Sequence, residues 1–151
     1  MSGYEVTWIT EDLAVGHAPM SYAELDEIKK EGIGAIVNLC AEYCDLHEIE
    51  EGSGFEVYYL PIVDENAPDI GELEKALNWL DKTIGMGKKV LVHCRFGIGR
   101  TGTFVTAYLI RKESCSLKAA SKKMKGSRSC PSTYNQWKML KKYKKKLEKE
   151  G

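Results

Sequence analysis

Short apolar runs alternate with amphipathic stretches along the chain, and each change marks an element. Val6 to Ile9 and Leu13 to Val15 predict two short strands. Ser21 to Lys30 predicts a helix, with Ser21 as N-cap, Glu24 closing a capping box and Gly32 ending it. Ala35 to Leu39 is a short apolar strand, and Tyr43 to Glu51 carries a weaker helical pattern. Phe55 to Leu60 is rich in aromatic and β-branched residues and predicts a strand that Pro61 should stop. Asp69 can cap a helix reaching Ile84, with Leu73, Leu77 and Leu80 on one face. Val90, Leu91 and Val92 form an unbroken run within Lys89 to His93, which suits a parallel strand covered on both faces. Thr101 to Lys112, Leu117 to Lys125 and Thr133 to Glu150 complete the helices.

Strands alternating with helices define an α/β fold, a mainly parallel central sheet flanked by helices. In such sheets ligands bind beyond the carboxyl ends of the strands. Three polar clusters fall there: Asn38 to Glu42, Asp64 to Asp69 and Cys94 to Arg100.

A chain of 151 residues fits one domain, large enough to bury a core without metal or disulfide staples. The apolar runs are too short to span a membrane, and the first residues lack the basic-then-apolar order of a signal peptide. A monomer in the cytoplasm is therefore the expectation. The cysteines are odd in number, at Cys40, Cys44, Cys94, Cys115 and Cys130. Their spacing argues against a disulfide framework and against structural zinc; no metal and no cofactor is expected.

The net charge of zero conceals an asymmetry. Residues 1–75 hold 3 Lys/Arg against 18 Asp/Glu, and residues 76–151 hold 19 against 4. The halves can attract each other across one fold, and the basic half can draw in anionic substrates. Lys141 to Lys146 reads as the solvated side of a terminal helix. Nucleic-acid binding would need aromatics interleaved with the basic residues, so no such partner is expected.

The chemistry concentrates at Cys94 to Arg100. A Cys and an Arg separated by five residues mean little alone; their placement adds the mechanism. Cys94 ends a buried strand, Arg100 opens a helix, and Gly97 and Gly99 lie between them. Such a loop can turn successive backbone N–H groups inward as an anion nest, from Arg95 and Phe96 through Gly97, Ile98 and Gly99. Arg100 can add a planar fork to two phosphate oxygens. The same positive field favours thiolate over thiol at Cys94. Thr101 can offer its hydroxyl to the Cys94 sulfur and help the thiolate leave. His93 can hold the loop by hydrogen bonds, tune the thiol, or simply be a satisfied core histidine.

The segment HCRFGIGRTG, His93 to Gly102, resembles the signature of the protein tyrosine phosphatase superfamily, in particular its compact dual-specificity branch. WITEDLAVGHAP resembles the opening strands of that branch, PIVDENAPD its acid loop, and TYNQ a late segment whose Gln contacts the site. The family often carries Arg-Pro-Gly before that last helix; here Arg128 is followed by Ser129 and Cys130.

The resemblance implies hydrolysis of phosphate monoesters through a cysteinyl-phosphate. Asp64 is then the general acid that protonates the leaving oxygen, and later the base that activates water. Glu65 and Asp69 are alternatives, Asp69 being first a helix cap. Gln136 is either a positioner of that water or a solvated helix residue. NLCAE, Asn38 to Glu42, resembles a stretch of phosphoinositide phosphatases. If its strand neighbours that of Cys94, Cys40 can capture oxidised Cys94 as a disulfide. Otherwise Cys40 is a small apolar strand-end residue, and Cys44 is the alternative partner.

The loop carries Arg95 but apolar Phe96 and Ile98, which favours phosphoproteins over highly charged inositol lipids. Phosphotyrosine is the expected substrate, with phosphoserine and phosphothreonine admitted by a shallow pocket. Phosphoinositides or other phospholipids are the alternative under the same chemistry. A phosphate-binding module without turnover and a rhodanese-like sulfurtransferase are the competing classes. The first must explain a complete set of Cys94, Arg100 and Asp64; the second has no specific use for Asp64 or the Arg100–Thr101 pair.

Overall fold

The computed structural model describes residues 3–150. Among these residues five strands form one sheet: β1 (Thr7–Trp8), β2 (Leu13–Gly16), β3 (Ile33–Cys40), β4 (Glu56–Ile62) and β5 (Lys89–His93). The order across the sheet is β1-β2-β5-β3-β4, with only the β1–β2 pair antiparallel. The helices are α1 (Tyr22–Lys30), α2 (Leu46–Gly52), α3 (Ile70–Gly85), α4 (Gly99–Lys112), α5 (Leu117–Lys123) and α6 (Tyr134–Glu150). The expected α/β architecture is the one observed.

The central strands are covered on both faces, as the run in β5 requires. Val90 and Val92 enter a large core with Leu73, Leu77, Phe104 and Leu140. Leu91 points the other way, into a smaller core with Leu25, Ile28 and Ile36. Thus α3 to α6 pack on one face and α1 on the other. Alternate residues of one strand serve two cores because successive side chains leave a strand on opposite sides.

Local signals explain most boundaries. Ser21 Oγ accepts the Glu24 N–H at 3.1 Å, and Asp69 Oδ2 accepts the Glu72 N–H at 3.2 Å. The Glu24 carboxylate reaches back one residue beyond the expected box, to the Met20 N–H at 2.7 Å. Pro61 does not stop β4, which continues to Ile62. β4 lies at the sheet edge and pairs only with β3, so the missing N–H breaks no second ladder. Helix α2 begins at Leu46 rather than Tyr43, which leaves Glu42 to Asp45 as a loop beside the strand ends.

The two charged halves meet at specific pairs. Arg100–Glu42, Lys146–Glu74 and Lys88–Glu56 each join the basic half to the acidic one. The expected attraction is thus realised locally. The last two are at least partly exposed and stabilise little.

Candidate active site

Cys94 follows β5 directly, and the loop to Gly99 closes against three scaffold segments. Five of its carbonyls are tied back. His93 Nδ1 donates to Cys94 O at 2.9 Å, and Ala18 N to Arg95 O at 3.0 Å. Ser129 Oγ donates to Gly97 O, Cys130 N to Ile98 O at 3.1 Å, and Thr103 Oγ1 to Gly99 O at 2.6 Å. The peptide units are trans, so each N–H points opposite to the preceding carbonyl. Tying back those carbonyls therefore turns the N–H groups of Arg95, Phe96, Ile98, Gly99 and Arg100 away from the scaffold. That is the arrangement an anion nest requires. Ile98, the N-cap of α4, makes no side-chain cap bond, so the positive helix end also faces the nest.

Two glycines make this closure possible. Gly97 has φ +73°, and a Cβ there would lie 2.6 Å from Gly16 O. At Gly102 a Cβ would run into the backbone of Cys130. The stretch that departs from the family pattern, Ser129 and Cys130, is thus the rear wall of the loop.

Cys94 is buried, and Thr101 Oγ1 donates to its sulfur at 3.1 Å. Arg100 is 2% exposed. Its fork does not stand open. Nη1 and Nη2 grip the Glu42 carboxylate at 2.6 and 2.8 Å, and Nη1 also donates to Ile62 O at 2.8 Å. A guanidinium has more than one edge, and Glu42 takes only the terminal one. The Nε side is left, buried and without a hydrogen-bond partner among the described residues, 3.5 Å from Asp64 Oδ1. Burial opposes the Arg100 charge, but the bonds to Glu42 and the nearby Cys94 raise its pKa above the ordinary value. Glu42 is held down to about 2, first by its bonds to Arg100. The sequence reading missed Glu42 as a partner, although the residue closes the Asn38 to Glu42 cluster.

His93 is fully buried and belongs to a network. Its Nε2 lies 2.6 Å from Glu50 Oε2, and Glu50 Oε1 accepts from Asn38 Nδ2 at 2.9 Å. Asn38 Oδ1 in turn accepts the Cys40 N–H at 2.9 Å. Nδ1 must be the protonated nitrogen facing Cys94 O, since a carbonyl only accepts. The other ring nitrogen faces the Glu50 carboxyl. The ends of β3 and β5 are therefore cross-linked through α2, behind the nucleophile. No spacing marks Glu50 in advance; it sits among Glu48 and Glu51 and differs from them only in being buried.

Asp64 lies in the loop after β4, mostly exposed, beside Arg100. The loop is pinned from the far side. Glu65 stands at φ +71° with its carbonyl accepting from Thr133 Oγ1 at 2.7 Å. Gln136 is 1% exposed, so it is not a solvated helix residue. Its Oε1 accepts the Ser132 and Thr133 N–H groups at 2.7 and 3.2 Å, and its Nε2 donates to Asn66 O at 3.3 Å. The side chain thus caps α6, steadies the acid loop and lies against Gly99. Asp69 caps α3, as expected.

Cys40 ends β3, the strand paired with β5, so the strand adjacency required for a Cys40–Cys94 approach exists. Both thiols are free and buried, while Cys44 is exposed. Burial, followed by the Glu42 charge, pushes Cys40 up to about 12. Arg95 leaves the loop outward, its guanidinium over the rings of Phe96 and Tyr43. Phe96 is 57% exposed.

A nucleophilic cysteine in an amide nest, with an arginine and a hydroxyl beside it, defines a phosphatase of the cysteine-dependent class. The chain belongs to the family of the dual specificity phosphatase catalytic domain, whose model matches residues 16–146. It is 33% identical over 115 residues to phosphatidylglycerophosphate phosphatase PTPMT2 of Arabidopsis thaliana, which covers 74% of this chain and 50% of that protein. It is 32% identical over 95 residues to dual specificity protein phosphatase CDC14A of Homo sapiens, covering 63% and 15%. The chain spans half or less of the length of these curated relatives. Tk-PTP in its active form superposes with a TM-score of 0.84 at 30% identity, over 96% of this chain and 99% of that one. PTPMT1 in complex with PI(5)P gives 0.83 at 24% identity, over 96% and 97%, a likeness of fold.

Proposed function

We propose that the protein hydrolyses phosphate monoesters through a cysteinyl-phosphate, with phosphotyrosine of proteins as its first substrate and phosphoserine and phosphothreonine admitted. The observation that carries the reading is Cys94 Sγ, held by Thr101 Oγ1 at 3.1 Å within the amide nest. The Cys94 thiolate attacks phosphorus, forming the S–P bond as the P–O bond to the leaving group breaks. Asp64 gives its proton to that oxygen. The nest and the Nε side of Arg100 balance the charge on the phosphoryl oxygens. In the second step water attacks phosphorus, Asp64 takes the water's proton, and Thr101 stabilises the departing thiolate. Gln136 steadies the loop that carries Asp64.

The exposed Phe96 and the acidic elements around the site support a polypeptide substrate. The similarity to a phosphatidylglycerophosphate phosphatase favours a second reading, the same chemistry on a phospholipid monoester. Five unpaired cysteines, a nucleophile among them, support a reducing cytoplasmic setting, and we take the chain as a monomer there. No helix among the described residues is long and apolar enough to cross a membrane.

The test is phosphate release across phosphotyrosine, phosphothreonine and phosphoserine peptides, phosphoinositides and phosphatidylglycerophosphate. Cys94→Ser should abolish release and keep vanadate binding. Full activity in Cys94→Ser overturns the chemistry; preference for a lipid overturns the substrate.

A further inference from the structure

A groove of about 480 Å³ opens beside the active site, and the chemistry above makes no use of it. Pro19, Met20 and Tyr22 form one wall and Tyr43, Leu46 and Ile49 the other, with Leu25 at the floor. Met20, Tyr22 and Ile49 are 63%, 71% and 42% exposed. Three large apolar groups held open around one concavity mark a binding surface rather than scattered surface residues. The groove is continuous with the site at two residues. Glu42 lines it and grips Arg100, and Tyr43 lines it and carries the Arg95 guanidinium over its ring.

The occupant must therefore be attached to the phosphate and carry an apolar group. An acyl chain and an amino-acid side chain both meet that description; the charge of the rim separates them. The bordering elements are α1 and the loop into α2. Of the residues that line the groove, Glu42 and Asp45 are acidic and none is lysine or arginine. The basic residues of α1 are Lys29 and Lys30 in its last turn, and α2 has none in its own. Such a rim repels an anionic bilayer surface and attracts lysine or arginine.

Resting on the phosphatase reading, we propose that this groove takes an apolar side chain, next to a lysine or arginine, from the polypeptide that carries the phosphorylated residue. The groove fixes which phosphorylated segments are turned over, while the nest fixes the chemistry.

The unaltered protein tests this with phosphotyrosine peptides of one length whose flanking pair is Leu-Arg or Ser-Glu. The Leu-Arg peptide should have a kcat/KM roughly tenfold to a hundredfold higher, mostly through KM, as burial of one apolar side chain implies. Its advantage should shrink with added salt. Met20→Glu with Ile49→Glu should remove most of the preference. Both positions are exposed, and thermal unfolding together with p-nitrophenyl phosphate turnover shows whether the variant is folded. Binding of the same peptides to Cys94→Ser gives the groove a readout independent of turnover. If the wild type releases no phosphate but the preference persists in binding, the phosphatase reading fails and the groove stands. Equal kcat/KM for the two peptides overturns the groove. So does a variant that loses turnover of phosphatidylglycerophosphate vesicles and not of peptides.

Discussion

Glu42 grips Arg100 end-on, through both carboxylate oxygens, and so leaves the Nε side of the guanidinium without a hydrogen-bond partner among the described residues, beside Asp64. A buried arginine whose fork is fixed by a carboxylate reaches a phosphate without first searching rotamers. Glu42 is a positioning residue by this argument. It touches Arg100, not the reacting atoms.

Glu42→Gln should therefore lower kcat by roughly tenfold while vanadate still binds. The variant should also be less stable near neutral pH by about 1–2 kcal/mol, since Glu42 is partly exposed and screened. The pH dependence has a definite sign. Glu42 is lowered from 4.5 to about 2 in the folded protein. Its contribution is present above about pH 4.5 and is lost as pH falls toward 2. Urea unfolding of both proteins should show their stability gap closing on acidification. A gap that stays constant over that window removes the pair from the stability account.

Gly97→Ala meets two obstacles at once, the positive φ and the Gly16 carbonyl. A side chain in that backbone region costs about 1–2 kcal/mol before any clash, so the loss should exceed about 2 kcal/mol. Gly85→Ala is the contrast. It lies in α3 with nothing within 4 Å of an added Cβ, and should be neutral or slightly stabilising. Urea midpoints compare the two. Vanadate binding should weaken in the first alone, because only Gly97 shapes the nest.

Asp64→Asn should cost about 10²-fold in kcat on a phosphotyrosine peptide, whose leaving oxygen needs a proton. The loss should be several times smaller on an aryl phosphate with a strongly acidic phenol. Comparing kcat across leaving groups checks this. An equal loss on both would assign Asp64 to binding. Glu65 and Asp69 are poorer acids in geometry, one held by Thr133 through its backbone and the other spent on capping α3.

The parts of the site legible from the residues themselves are those whose neighbours in space are neighbours in the chain; Asp64 was reached through the resemblance of PIVDENAPD. Cys94, Gly97, Arg100 and Thr101 share one strand-loop-helix unit, so spacing alone brings them together. Glu42 and Glu50 escape because their partners are 58 and 43 residues away. A glutamate bonded to a buried cation and one facing solvent read alike until the strand order is known. The same cause misplaced the end of β4. Pro61 stops a central strand but not an edge strand, and only the topology says which β4 is. Gln136 was legible as a site neighbour through the resemblance of TYNQ, while its burial goes with the bond it makes to the acid loop at Asn66 O.

Cys40 stands at the end of the strand next to Cys94, yet it is poorly armed to defend it. Capture requires peroxide to convert Cys94 to a sulfenic acid. The Cys40 thiolate then attacks that sulfur, the S–S bond forms, and the hydroxyl leaves as water with the proton Cys40 gave up. Only the thiolate attacks, and Cys40 is pushed up to about 12 by burial and then by Glu42. Closure should therefore speed up about tenfold per pH unit between about pH 7 and 9. At the lower pH, further oxidation to the sulfinic acid should compete. Glu42→Gln removes one of the causes holding the thiol protonated and should hasten closure at a given pH. Non-reducing peptide mapping after mild peroxide, at both pH values, measures each product. A linkage from Cys44 instead would assign the exposed loop cysteine as the partner. Loss of activity with neither linkage at either pH would leave Cys40 as a packed strand-end residue.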